Sequence, residues 1–175
     1  MIEVQNDTTL LEQTVWGLLE QVPDPEIPVL NVIDLGIVRK VEVHPGQNSE
    51  DLEISILLTP TYMGCPAMDV ISMSIRMALF ENGFKHVRIN TILSPAWTTA
   101  WMSESGKTKL KAYGVAPPLE QAARIEKLFT APLGVPCPLC DSANTRLISE
   151  FGSTACKSLY QCNDCKEPFD YFKCH

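Results

Sequence analysis

Cys137-Pro138-Leu139-Cys140 and Cys162-Asn163-Asp164-Cys165 are two C-x-x-C pairs with residues 141–161 between them. A C-x-x-C step folds into a tight knuckle that presents two thiolates to one ion. Two facing knuckles make a closed tetrahedral S4 site, which suits Zn²⁺. Two correctly spaced pairs must coincide, so the pattern is specific. Rubredoxin-type iron uses the same knuckles, and spacing alone leaves both metals open. The iron reading would make the tail an electron carrier. In the zinc reading the ion supplies most of the tail's stability, on the order of 10–16 kcal/mol. Cys156, Cys174 and His175 are left over. They are either idle or buried thiols on ribbon strands, or a candidate second, open metal site that accepts iron or a cluster.

Cys65 is the cysteine outside the tail. It precedes Pro66 and an apolar run, which places it at the N-cap of a helix. There the helix dipole and free N–H groups lower a thiol's pKa and make it reactive or metal-binding. The alternative is a small buried hydrophobe beside a turn. Asp34, in Ile33-Asp34-Leu35-Gly36, and Glu26, in Asp24-Pro25-Glu26-Ile27-Pro28, are carboxylates that a turn or a cap would also explain. His44, His86 and His175 form no H-x-x-x-H pair. There is no nucleophile elbow and no glycine-rich phosphate loop, so Cys65 as an enzymatic nucleophile lacks a base. Trp97 and Trp101, four apart, either stack on a ligand or pack a helix onto the body.

The elements that must position these residues are legible in outline. Thr9-Leu10-Leu11-Glu12 is a capping box, and Leu11, Val15, Leu18 and Val22 continue at helical spacing. Three prolines in 23–28 end that helix. Ile37–Val43 and Leu52–Leu58 are strands, joined by a turn at His44-Pro45-Gly46-Gln47-Asn48. Pro66 occupies the first position of a second helix, and Gly83 is its left-handed terminus. Phe84–Leu93 holds a third strand, and Ser103 caps a helix to about Tyr113. The body is therefore α+β, in the order α-β-β-α-β-α, with a crossover helix between the second and third strands. The domains are 1–113, a proline-containing linker at 114–136 with a short helix around Leu119–Leu128, and a zinc-ribbon module at 137–175.

The chain has 175 residues, 45% hydrophobic, with a net charge of −7. That is enough for one core plus a small module. The tail from Cys137 sets four basic residues against five acidic ones. Neither part has the basic clustering of a nucleic-acid binder. No secretory signal and no membrane span is expected. Seven cysteines in such a chain favour a cytoplasmic protein with thiolates and metal over disulfides.

Asp24-Pro25-Glu26-Ile27-Pro28-Val29 followed by Asp34-Leu35-Gly36-Ile37-Val38 resembles the opening of the small α/β domain of SufT-type iron–sulfur assembly factors. Thr59-Pro60-Thr61-Tyr62-Met63-Gly64-Cys65-Pro66 resembles that family's Thr…Cys-Pro loop. Ser94-Pro95-Ala96-Trp97-Thr98-Thr99-Ala100-Trp101-Met102-Ser103 resembles its Pro-x-Trp-Thr-x-x-Trp-Met segment, with Ala100 where the family often has an acidic residue. Ile148–Lys157 and Glu167–Cys174 are similar to the tail of the PaaD family of phenylacetate degradation, described as an accessory component of the phenylacetyl-CoA epoxidase system.

The resemblance implies a non-catalytic accessory role: maturation of a ring-epoxidising oxygenase at an iron or iron–sulfur step. Its partners would be the reductase or the di-iron protein of that system, and a homodimer is a further expectation. Cys65 would be the functional thiol, with Asp34, Glu26 and Thr61 lining the same pocket. Cys137, Cys140, Cys162 and Cys165 would hold structural zinc, and any iron or cluster would be transient.

Overall fold

A computed structural model describes residues 2–45, 52–119 and 134–173, and the chain divides into two compact units, Met1–Trp97 and Thr98–His175. The first unit contains α1 (Ile2–Leu19), β1 (Val38–Pro45), β2 (Leu52–Leu58), α2 (Ala67–Glu81) and β3 (His86–Thr91). The second contains a 3-10 turn at Thr99–Trp101, α3 (Glu104–Tyr113), β4 (Val115–Ala116), β5 (Thr145–Ser149), β6 (Lys157–Cys162) and β7 (Pro168–Phe172). The architecture is the α+β arrangement expected, with α3 grouped in the second unit.

The helix boundaries follow local chemistry, with two corrections. α1 begins at Ile2, so Thr9 lies inside it and is not its N-cap. No proline or glycine interrupts Ile2–Thr8, so nothing stops the helix from extending toward its N-terminus. α2 has Pro66 at its N-cap position, and Cys65 stands one residue before that. At its far end Asn82 caps and Gly83 takes φ +91°, the left-handed exit expected of it. In α3 the Ser103 hydroxyl accepts the Gly106 amide at 2.8 Å, and Gly114 at φ +89° closes the helix.

The first sheet has the order β1-β2-β3. β1 pairs antiparallel with β2, and β2 pairs parallel with β3. A parallel neighbour cannot be reached by a hairpin, so α2 serves as the crossover. Val41, Val43, Ile54, Ile56 and Leu58 alternate inward and are buried. α1 contributes Val15 and Leu19, and α2 contributes Ile71, Ile75 and Leu79 at fourth-residue spacing.

The second sheet has the order β4-β7-β6-β5. β6 pairs antiparallel with both β5 and β7, while β4 runs parallel to β7. Val115 and Ala116, read from sequence as linker, thus belong to the ribbon sheet; a two-residue strand has no periodicity to betray it. Beyond Leu119, the expected short helix lies outside the described residues. A buried cluster of Ala116, Val135, Tyr160, Phe169 and Tyr171 packs against Cys137 and Cys162. No described helix is long and apolar enough to cross a membrane.

Ile56 is fully buried on the central strand of the first sheet. Ile56→Ala is expected to lower unfolding free energy by about 2–5 kcal/mol, measured by urea denaturation. A loss below about 1 kcal/mol, the size of an ordinary surface effect, would contradict this packing.

Candidate functional site

The chain carries two candidate sites, one closed and one open. The closed one is the sulfur tetrad. The Sγ atoms of Cys137, Cys140, Cys162 and Cys165 all lie within 4.8 Å of one another. Cys137 and Cys165 are 3.8 Å apart, and Cys140 and Cys162 are 3.6 Å apart. Disulfide sulfurs would stand about 2.05 Å apart. A tetrahedron with Zn–S of about 2.3 Å has edges of about 3.8 Å, so the four sulfurs fit one zinc ion. All four positions are taken by protein, which leaves no open coordination site and marks a structural centre.

The two knuckles have the same construction. The Cys137 amide donates to the Ser142 carbonyl at 2.9 Å, and the Cys162 amide donates to the Glu167 carbonyl at 3.0 Å. The residue after each second cysteine is left-handed: Asp141 at φ +60° and Lys166 at φ +69°. Neither is glycine, so the conformation is held by the knuckle at some steric cost. The knuckles are also stitched to each other. Asp164 accepts from the Ser142 hydroxyl and from Asn144 Nδ2, the latter at 2.8 Å. Asn163 Nδ2 donates to Asn144 Oδ1 at 2.9 Å. These hydrogen bonds hold the Asp164 carboxyl below its usual range, Ser142 contributing most and Asn144 next. C-x-x-C spacing revealed the ligands but not this polar belt.

Four thiols this close oppose one another's ionisation, which a cation relieves. The Cys165 amide is the main influence that brings the Cys162 thiol down to about 7, against the opposing effect of burial. Cys165 is pushed up to about 12: the Glu167 amide favours its thiolate, but burial and the neighbouring sulfurs outweigh it. Cys140 is also raised; the Ser142 amide favours its thiolate, but burial and neighbouring sulfurs oppose it. One thiolate near neutrality therefore discourages the next, and a dication reverses that balance.

Cys156 stands outside the tetrad. It is buried, with its Sγ 3.1 Å from the Thr154 hydroxyl. The loop before it folds tightly: the Gly152 amide donates to the Lys157 carbonyl at 2.7 Å. A Cβ on Gly152 would stand 2.8 Å from Asp170 Oδ1. Cys174 and His175, the other members of the candidate second metal site, lie outside the described residues.

The open site is one end of the first sheet. Val38 pairs with Leu58, and Leu58 pairs with Thr91. The start of β1 and the ends of β2 and β3 therefore converge. Three hydrogen bonds stitch the segments that leave there. The Thr59 amide donates to the Ile37 carbonyl at 2.8 Å, and the Ile92 amide to the Leu58 carbonyl at 2.9 Å. The buried Trp97 indole N–H donates to the Leu35 carbonyl at 2.9 Å. Trp97 is thus a structural strut between segments, while Trp101 sits half-buried in the 3-10 turn.

Asp34, Thr61 and Cys65 all lie on segments that leave this end. Asp34 is buried inside a turn: its amide donates to Asn31 Oδ1 at 2.7 Å, and its Oδ2 accepts the Asn31 amide at 3.4 Å. Glu26 and Thr61 are half-buried. Cys65 is half-buried, its carbonyl accepting the Met68 amide at 3.3 Å. Pro66 provides no side-chain cap, so it leaves the first-turn N–H groups of α2 uncapped by its own side chain.

Two residues that sequence reading passed over stand out. Asp24 is the buried carboxylate of the proline-rich turn, accepting the Glu26 and Ile27 amides at 2.8 and 2.7 Å. Thr59 is 1% exposed, and its hydroxyl meets no hydrogen-bond partner among the described residues. A buried hydroxyl without a partner is uncommon in folded proteins.

Residues 12–82 match the family model "Iron-sulfur cluster assembly protein", and residues 121–173 match "PaaD zinc beta ribbon domain". An Escherichia coli (strain K12) protein, named as a component of a "Putative 1,2-phenylacetyl-CoA epoxidase", is 49% identical over 91% of each chain. A Porphyromonas gingivalis "Fe-S protein maturation auxiliary factor" is 34% identical over 61% of this chain and 97% of its own. Among solved structures, a DUF59 domain of Bacillus anthracis superposes with a TM-score of 0.54 and 26% identity, over 61% of this chain and 96% of that one. The tail is thus a zinc ribbon, which decides the metal that spacing had left open.

Purified protein is expected to carry one zinc per chain and to be colourless, checked by elemental analysis and a visible spectrum. A ferric–thiolate band would contradict it. Because zinc binding displaces protons from the sulfurs, affinity must fall as pH falls. Competition against a chromogenic chelator should show weaker retention at pH 6 than at pH 8; equal retention would contradict thiolate ligation.

Proposed function

Since the chain belongs to the PaaD family, we propose that it is a non-catalytic maturation factor for a multicomponent phenylacetyl-CoA epoxidase. Its cargo is iron or an iron–sulfur cluster, held transiently at Cys65 and passed to the reductase or the di-iron protein in the cytoplasm. The observation that carries this reading is the contrast between the two sulfur sites. One is saturated by four thiolates on stitched knuckles. The other is a single half-buried thiol at a helix mouth, on the same sheet end as a buried carboxylate and an orphaned hydroxyl.

In this reading Cys65 is the sulfur ligand, standing one residue before the N-cap of α2. Asp34 is an oxygen ligand or charge partner, with Glu26 and Thr61 lining the pocket. A site with so few ligands binds weakly, and weak binding is what transfer requires. The names of the relatives support maturation, and the E. coli relative supports the epoxidase as client. The zinc ribbon then serves as a rigid, permanently loaded module and takes no part in the exchange.

Cys65→Ser is expected to leave circular dichroism and zinc content unchanged. Epoxidase iron content and activity from cells carrying only the variant should fall by about 10-fold or more, the scale for loss of a metal-site contact. Normal epoxidase activity in those cells would rule the reading out.

A further inference from the structure

α2 carries an apolar face that the first unit does not bury. Ile71, Ile75 and Leu79 point into the core. Val70, Met73, Met77 and Phe80 are 52%, 65%, 57% and 64% exposed. At about 100° per residue these four fall on one stripe, on the side of the helix away from the core residues. Their 3-4-3 spacing is that of alternating a and d positions in a heptad, the seam of a paired helix. The same heptad register puts Arg76 at g and Glu81 at the following e, both exposed. Arg76 gives one N–H to the Val87 carbonyl of β3. That contact steadies the side chain and leaves other donors for a carboxylate.

We infer that this stripe is the contact surface for a second copy of the chain, paired with its α2 in parallel. A parallel pair sets a against a and d against d. It also brings Arg76 beside Glu81 of the partner subunit, twice by symmetry. The antiparallel pair instead brings Arg76 against Arg76 of the partner subunit near its centre, a like-charge contact. Charge complementarity therefore selects the parallel arrangement.

Taking about 150–200 Å² for a large side chain, the four exposed residues offer roughly 400 Å² per copy. A total near 800 Å² belongs with weak, reversible contacts. The dimer is weak and reversible, and a shared ligand tightens it by mass action.

The orientation has a consequence for the thiol. In a parallel pair the two N-terminal ends of α2 lie side by side, with helix axes about 8–10 Å apart. Both Cys65 residues then stand at the same end of the dimer, and an iron ion or cluster placed there draws ligands from two copies. This step rests on the reading of Cys65 given above.

Anaerobic sedimentation velocity of the full chain over a concentration series tests the proposal, with circular dichroism to confirm that each variant folds. Wild type is expected to show a monomer–dimer equilibrium, and a Met73→Glu/Met77→Glu variant is expected to remain monomeric. Arg76→Glu should weaken the dimer about fivefold, the scale of two exposed ion pairs, and Arg76→Glu combined with Glu81→Arg should restore it. Added Fe(II) should tighten the wild-type dimer and leave the Cys65→Ser dimer unchanged. Monomer at every concentration, with or without Fe(II), overturns the proposal, as does a dimer indifferent to the stripe substitutions. Failure of the charge swap to restore the dimer overturns the parallel orientation. A stripe-dependent dimer that Fe(II) does not tighten overturns the shared ligand and keeps the seam. Full epoxidase maturation by Cys65→Ser overturns the role of Cys65 and leaves the seam standing.

Discussion

Sulfur atoms this close cannot all carry charge on their own. Each thiolate in the tetrad raises the cost of ionising its neighbours. A dication removes that conflict. It also fixes two of its ligands, Cys137 and Cys162, into the buried cluster beneath. The aromatic floor of Tyr160, Phe169 and Tyr171 is small, so the ion and the apolar cluster form one cooperative unit. The Asp164, Asn144 and Asn163 belt then sets the angle between the knuckles. A centre so completely enclosed by ligands cannot also be a point of exchange, and any chemistry of transfer must sit elsewhere.

In the proposed function the first unit supplies that other place. A sheet with one antiparallel and one parallel pairing brings three chain segments to one end. The crossover helix begins there as well. Trp97 and the Thr59 and Ile92 amides close the strand ends, which keeps the loops short and ordered without burying Cys65. The resulting asymmetry, a saturated sulfur site in one unit and an unsaturated one in the other, is what the proposed division of labour between scaffold and carrier requires.

How much was visible in advance depended on whether a signal was local. The zinc ligands were legible because C-x-x-C is a local geometric unit. Gly83, Ser103 and the alternation in Leu52–Leu58 were legible because turns, caps and pleats act over a few residues. The start of α1 was misplaced because Thr9 and Glu12 have capping chemistry, yet no breaker precedes them to make a cap necessary. Pro66 and Cys65 were one position off, since proline is accommodated at more than one site in a first helical turn. Val115 and Ala116 pair with Asp170 and Tyr171, a contact between residues far apart in sequence that a two-residue strand cannot announce. Asp24, Thr59 and the exposed stripe on α2 needed burial values. A Met at third- and fourth-residue spacing looks the same in sequence whether it faces the core or water.

In the proposed division of labour one thiol, Cys65, binds iron loosely while four others hold zinc permanently. Anaerobically purified wild type and Cys65→Ser should be incubated with Fe(II), desalted in the presence of a mild chelator series, and assayed for both metals. The prediction is one chelator-resistant zinc per chain in both proteins, and iron that is retained weakly by wild type and lost from the variant. Iron binding identical in the two proteins, or iron displacing zinc from the tetrad, would contradict it.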